Sequence, residues 1–167
     1  MFDAYGPFTL HTHDEAGIDK LYDDIRADET DNLENGIGIY IIALRANGKL
    51  LPCYAGRTQD GFGTRLKQHF DKGKFEDLNN EALLDIFLIA RTTPQGRVIT
   101  KEEATGRDLL FIEQLEQKLI GRCAELNEDL LNVHYRSGQK NFYVAGFQDG
   151  KAKRSPAAEC LGKLLGT

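Results

Sequence analysis

No apolar run in this chain approaches the roughly 20 residues that a membrane-spanning helix needs, so no transmembrane segment is expected. The opening stretch, MFDAYGPFTLHTHDEAG, lacks a basic region followed by an apolar one, so no signal peptide is expected either. Cysteine is sparse: Cys53, Cys123 and Cys160 are scattered, odd in number and not spaced like zinc ligands. They read as reduced thiols of a cytoplasmic protein. An excess of positive charge is also missing. The net charge of −5 argues against a chain that binds polyanions by its overall charge. Repeats, low-complexity tracts and interdomain linkers are absent, and so are a zinc finger, a helix-turn-helix and a long basic arm. What remains is one soluble domain over 1–167, with 41% hydrophobic and 28% charged residues, long enough to bury a core.

The charge is unevenly distributed. Residues 1–35 carry ten Asp and Glu against Lys20 and Arg26, a balance of −8, whereas the remainder has a balance of +3. The acidic segment is either a solvated helix face or an extension that shields a polyanion site or meets a protein partner.

DEAGIDKLYDDIRADE reads as a helix capped by Asp14, with Ile18, Leu21, Tyr22 and Ile25 as its apolar stripe. GIGIYIIAL and KLLPCYAG read as strands joined at Asn47–Gly48, a strong hairpin signal. TRLKQHF reads as a short helix capped by Thr64, and LLDIFLIAR as a strand whose leading leucine pair could instead end a helix. Thr100 and Glu103 suggest a capping box for a long helix with apolar residues at Leu109, Ile112, Leu115, Leu119 and Ile120. A late hairpin around Asp149–Gly150 and a final helix with Ser155 as cap and Pro156 at its first position complete the order. The expected fold is α+β: a small, mainly antiparallel sheet flanked by helices. An acidic N-terminal extension with a helix (1–35) and a C-terminal hairpin and helix (133–167) are added to a core over 36–132.

Several polar residues stand out against this frame. Alternation puts Ile37, Ile39 and Ile41 on one strand face and Tyr40 on the other. A two-residue loop at Asn47–Gly48 would pair Tyr40 with Ala55 and put Tyr54 on the opposite face. An odd loop or a bulge, for which Pro52 is a plausible cause, would bring the two tyrosines together. Register alone leaves both open. Arg65 and His69, four apart, share a helix face after the glycine-rich loop DGFG. Such a pair is either ordinary surface or a phosphate contact at a helix start. On the long helix Glu116 falls about 40° from Ile112, inside the apolar arc, and Glu113 about 100° away, at its edge. A carboxylate there needs a cation, either a salt-bridge partner or a metal.

Together these pieces resemble the GIY-YIG nucleases. GIY at Gly38–Tyr40 and YAG at Tyr54–Gly56 are similar to the paired signature. Arg65 in RTQDGFGTRLKQHF falls on the family's arginine, and Glu116 and Asn127 in LEQKLIGRCAELN on its metal-binding glutamate and following asparagine. His69 is similar to a histidine of some restriction enzymes in the family. The resemblance covers about residues 36–132. It departs at Ala55, where isoleucine is usual, and in a loop from Gly56 to Arg65 that is one residue longer than the common form.

The resemblance implies single-step hydrolysis of a nucleic-acid phosphodiester, DNA first among substrates. Both tyrosines would face one pocket. Glu116 would hold one divalent metal, magnesium or manganese. Arg65 would stabilise developing charge, Tyr54 would orient the nucleophile or bind phosphate, and Asn127 would position by hydrogen bond. Tyr40 would activate water; free tyrosine has a pKa near ~10, so His69 or the metal would have to assist. Gly56, Arg57, Lys67 and the cluster Lys151, Lys153 and Arg154 are candidate nucleic-acid contacts. His11 and His13 are paired like the ligands of metal-dependent hydrolase barrels, but such barrels need about 250 residues. His134 and Tyr135 read as packing or surface.

Overall fold

The computed structural model describes residues 1–46, 48–73, 75, 83–131 and 155–165. Four strands form one antiparallel sheet: β1 (Phe2–Leu10), β2 (Gly38–Ala46), β3 (Lys49–Thr58) and β4 (Leu83–Arg91), in the order β1-β4-β2-β3. Four α-helices flank it: α1 (Glu15–Arg26), α2 (Phe62–Asp71), α3 (Gly106–Leu126) and α4 (Pro156–Leu165). The class is α+β. Among the described residues no helix is long and apolar enough to cross a membrane.

The sheet is buried on both faces. Ile37, Ile39, Ile41, Phe87 and Ile89 pack with Ile112, Leu115 and Leu119 of α3 and Leu161 of α4. On the other face Tyr40, Ile42, Ile86 and Leu88 pack with Leu21 and Ile25 of α1 and Phe62 and Leu66 of α2. This double burial explains why β2 and β4 read as continuous apolar runs rather than alternating ones.

The first strand departs from the expected order, which began with a helix. Phe2–Leu10 pairs with β4 despite Gly6–Pro7 at its centre. The proline is tolerated because β1 is an edge strand among the described residues, where an amide donor can go unused. A register shift between Tyr5 and Phe8 moves the inward-facing set from one layer to the other: Phe2 and Ala4 enter the α3–α4 layer, Phe8 and Leu10 the α1–α2 layer. The acidic segment is therefore part of the sheet, and deleting 1–35 would strip β4 of its outer neighbour.

Two caps also differ from expectation. Helix α2 starts one turn earlier than Thr64, with Gly61 at φ 96° as N-cap, because Phe62 is fully buried and draws the first turn into the core. Helix α3 is capped by a box formed by Thr105 and Asp108, not by Thr100 and Glu103. The Glu103 carboxylate does accept from the Thr100 amide at 3.1 Å, but this closes a separate turn before the helix. The Asp14 and Ser155 caps form as expected, and Leu83 and Leu84 both belong to β4. The late hairpin, His134, Tyr135, Lys151, Lys153 and Arg154 lie outside the described residues.

One charged pair is committed to stability. Asp85 of β4 is fully buried and accepts from Arg45 at 2.8 Å and 2.7 Å and from Thr9 at 2.8 Å. Arg45 is 40% exposed. Removing the arginine strands a buried carboxylate, whereas removing the carboxylate leaves a guanidinium that water can reach. Arg45→Met is therefore expected to cost about 3 kcal/mol, and Asp85→Asn clearly less. Urea unfolding of both variants checks this; equal or reversed costs would refute the asymmetry.

Candidate functional site

The hairpin resolves the open register. Ala46 faces Lys49 across a two-residue loop, and this register runs to Ala43–Pro52. Then it shifts: Ile42 faces Tyr54 and Tyr40 faces Gly56. Cys53 is the extra residue of a bulge. Its thiol donates to the Ile42 carbonyl at 3.2 Å, and its own carbonyl accepts from the Leu131 amide at 2.9 Å. The bulge puts both tyrosines on the α2 face, with ring centroids 5.9 Å apart. Gly56 lies between them, and a Cβ there would come within 2.6 Å of the Tyr40 hydroxyl and 2.8 Å of the Tyr54 ring.

Helix α2 brings its Arg65–His69 face onto this pair. His69 is buried, and its Nε2 lies 2.5 Å from the Tyr40 hydroxyl. Its ring stacks edge-on to Tyr54 at 5.3 Å, and Phe75 closes over both rings at 5.8 Å. Burial, and then the neighbouring Tyr54, push the Tyr40 pKa well above its ordinary value, against the opposing charge of Arg65. Tyr40 thus keeps its proton at neutral pH and hydrogen-bonds to His69 Nε2 as well as to Tyr54 and Arg65; with the imidazole proton on Nδ1 the hydroxyl is the donor to His69.

Arg65 is only partly exposed. It donates to Gln68 at 3.1 Å, but its Nε is buried and has no hydrogen-bond partner among the described residues. Burial works against its charge, yet Tyr40, Tyr54 and Glu116 outweigh it and hold the guanidinium's pKa above the usual arginine value.

Glu116 comes from the opposite layer. Among the described residues β3 is an edge of the sheet, and the carboxylate of Glu116, on the helix packed beside β3, acts electrostatically on Arg65. The Glu116 side chain is 14% exposed and lies 3.4 Å from Arg57, which also meets Glu113 at 3.4 Å. Burial raises the Glu116 pKa; Arg57 opposes the shift, Glu113 adds to it, and Arg65 opposes it again.

The structure thus brings together Tyr40, Tyr54, Gly56, Arg65 and His69, with Glu116 and Arg57 at the rim. It separates the others. Asn127 caps the end of α3, and its side-chain amide donates to the Pro52 carbonyl at 2.8 Å, so it holds the bulge and not the pocket. Lys67 points away from the tyrosines into a groove facing α1. Thr12, between His11 and His13, bonds to the cap residue Asp14 at 2.7 Å, and no metal-binding group of three His, Cys, Asp or Glu occurs among the described residues. Burial pushes the Cys53 and Cys123 thiols up to about 12, which leaves both protonated and unreactive. Sequence reasoning named Arg57 only as a nucleic-acid contact and missed Phe75. Arg57 pairs with Glu113 and Glu116; it shares the face of the core residue Ala55, so alternation alone could have paired it with α3. Phe75 follows a helix end and carries no periodic signal.

Compared with models of known protein families, with characterised proteins and with solved structures, the chain matches none.

Proposed function

We propose that this chain is a metal-dependent endonuclease of the GIY-YIG type, acting on nucleic-acid phosphodiesters and on DNA in particular. The observation that carries the reading is Arg65. Its guanidinium already bonds Gln68 and Tyr40, but its buried Nε has no acceptor among the described residues, and a donor so placed beside two tyrosines suits a ligand that brings anionic oxygens. The resemblance of the GIY, YAG, arginine and glutamate segments supports the same chemistry.

The geometry supports the following roles. Tyr40 is too buried to ionise by itself. It can still accept a proton from water while passing its own to His69 Nε2, so the pair acts as one base. The water oxygen then bonds to phosphorus as the bond to the leaving oxygen breaks; the leaving oxygen takes a proton from solvent, and His69 returns the proton it received to solvent. Arg65 donates to the non-bridging oxygens as their charge grows. Tyr54, held against His69 and Phe75, flanks the attacking water.

The donor set at Glu116 fits one hard cation. It is a mostly buried carboxylate whose ionised form burial disfavours, and magnesium often uses one or two carboxylates with water and phosphate oxygens. A bound divalent ion, magnesium or manganese, would neutralise charge on the phosphate and the leaving oxygen. Arg57 now occupies one side of this carboxylate. That contact favours the second reading, a nuclease-like module that binds nucleic acid or a protein without cutting.

The test is cleavage of supercoiled plasmid, single-stranded DNA, branched DNA and RNA with magnesium, manganese or EDTA. Tyr40→Phe keeps the buried ring and removes the relay, so it should lower the metal-dependent rate at least about a hundredfold without changing nucleic-acid affinity. Absence of any cleavage by the wild type, with clear binding, would replace the nuclease by the binding module.

A further inference from the structure

We propose that the groove between α1 and α2 is a binding site for an alkylammonium ion, either a free diamine or the lysine side chain of a partner peptide. The groove encloses about 480 Å³ on the face of α2 opposite Arg65 and His69. Its charge selects the ligand's sign. Glu15 and Asp19 of α1, Glu34 and Asp71 line it, against Arg26 and Lys67. Arg26 is already committed to Glu34 through two bonds of 2.8 Å and 2.9 Å. Among the described lining residues that leaves Glu15, Asp19 and Asp71 against Lys67, an environment that attracts a cation.

Tyr22 independently points to a ligand. It is 7% exposed and lines the groove, and its hydroxyl has no hydrogen-bond partner among the described residues. An unmet buried hydroxyl is uncommon because it forfeits the bonds it made in water. Asp71 and Asp19 line the same groove, so a cation seated against the hydroxyl lies in the field of their carboxylates, with Arg26 opposing and Glu34 already taken by it. An ammonium group supplies N–H donors to the Tyr22 oxygen and charge to Asp71. Ile18 and Phe70 in the same walls suit a methylene chain and ill suit a hydrated metal ion.

The experiment is calorimetric titration of the full chain at low salt with 1,4-diaminobutane, with N-acetyl-lysine N-methylamide, and with n-butanol as the uncharged control. Saturable binding of either amine, but not of butanol, is expected. Tyr22→Phe and Asp71→Asn should each weaken it about tenfold or more. Glu102→Gln, which removes the same charge elsewhere on the surface, should leave it unchanged. Tighter binding of the diamine would identify a free polyamine-like ligand, and tighter binding of the capped lysine a peptide. Tyr22→Phe keeps the ring and deletes an unsatisfied group, so its melting temperature without ligand should not fall; this separates lost binding from lost folding. No saturable binding, an unaffected Tyr22→Phe variant, or an equal loss in Glu102→Gln would overturn the proposal.

Discussion

Glu116→Ala is expected to lower metal-dependent cleavage by about three orders of magnitude, the scale of losing a principal charge-stabilising group. The fold should survive, because burial disfavours the ionised carboxylate and its partner is Arg57, whose side chain is one-third exposed. Removing it also frees Arg57, which is one-third exposed and keeps Glu113. Nucleic-acid affinity measured in EDTA should therefore be unchanged or slightly higher, since one negative charge is gone. Binding of manganese followed by calorimetry should be lost together with cleavage. Retained cutting would place the metal elsewhere, and Glu113 would be the first position to test. Retained manganese binding with cleavage lost would make Glu116 a positioning residue.

Gly56→Ala should be nearly as damaging, for a steric reason. The new methyl would sit 2.6 Å from the Tyr40 hydroxyl, 2.8 Å from its ring and 2.8 Å from the Tyr54 ring. Neither ring has room to retreat, since both are buried, Tyr40 bonds to His69, and His69 and Phe75 pack against Tyr54. Overpacking of this kind costs about 1–3 kcal/mol, and a displacement of reacting groups by about an ångström costs on the order of a hundredfold in rate. Both losses are expected in one variant: a lower urea midpoint and a rate at least about a hundredfold below wild type. Gly106→Ala is the control, because nothing lies within 4 Å of a Cβ at that helix start. A Gly56→Ala protein with normal stability and rate would mean that the tyrosine pair can repack and that its spacing is not critical.

Much of the fold was legible because its signals are local. Periodicity placed α1 and α3, the Asn47–Gly48 turn placed the hairpin, and Ser155 and Pro156 placed the start of α4. Strand β1 was not legible. A Gly-Pro pair at mid-strand normally ends a strand, and only its place at the sheet edge makes it harmless. The Thr64 and Thr100 caps were misplaced for a similar reason. Cap-like residues recur along the chain, and the choice among them fell to the burial of Phe62 and to the Thr105–Asp108 box, whose aspartate also bonds Arg91 at 2.8 Å.

For the candidate site, the sequence by itself determined the residue types, the shared face of Arg65 and His69, and the position of Glu116 in an apolar arc. These depend on helix and strand periods, which are fixed by backbone geometry. Tertiary structure alone decided whether Tyr40 and Tyr54 meet. The bulge that brings them together depends on the Pro52 and Cys53 carbonyls being taken by Asn127 and Leu131, more than 70 residues away. It also decided that Glu116, from the layer beneath the sheet, acts on the same arginine as the tyrosines above it. That follows from β3 lying at the edge of the sheet among the described residues, and strand order is a property that no single segment carries.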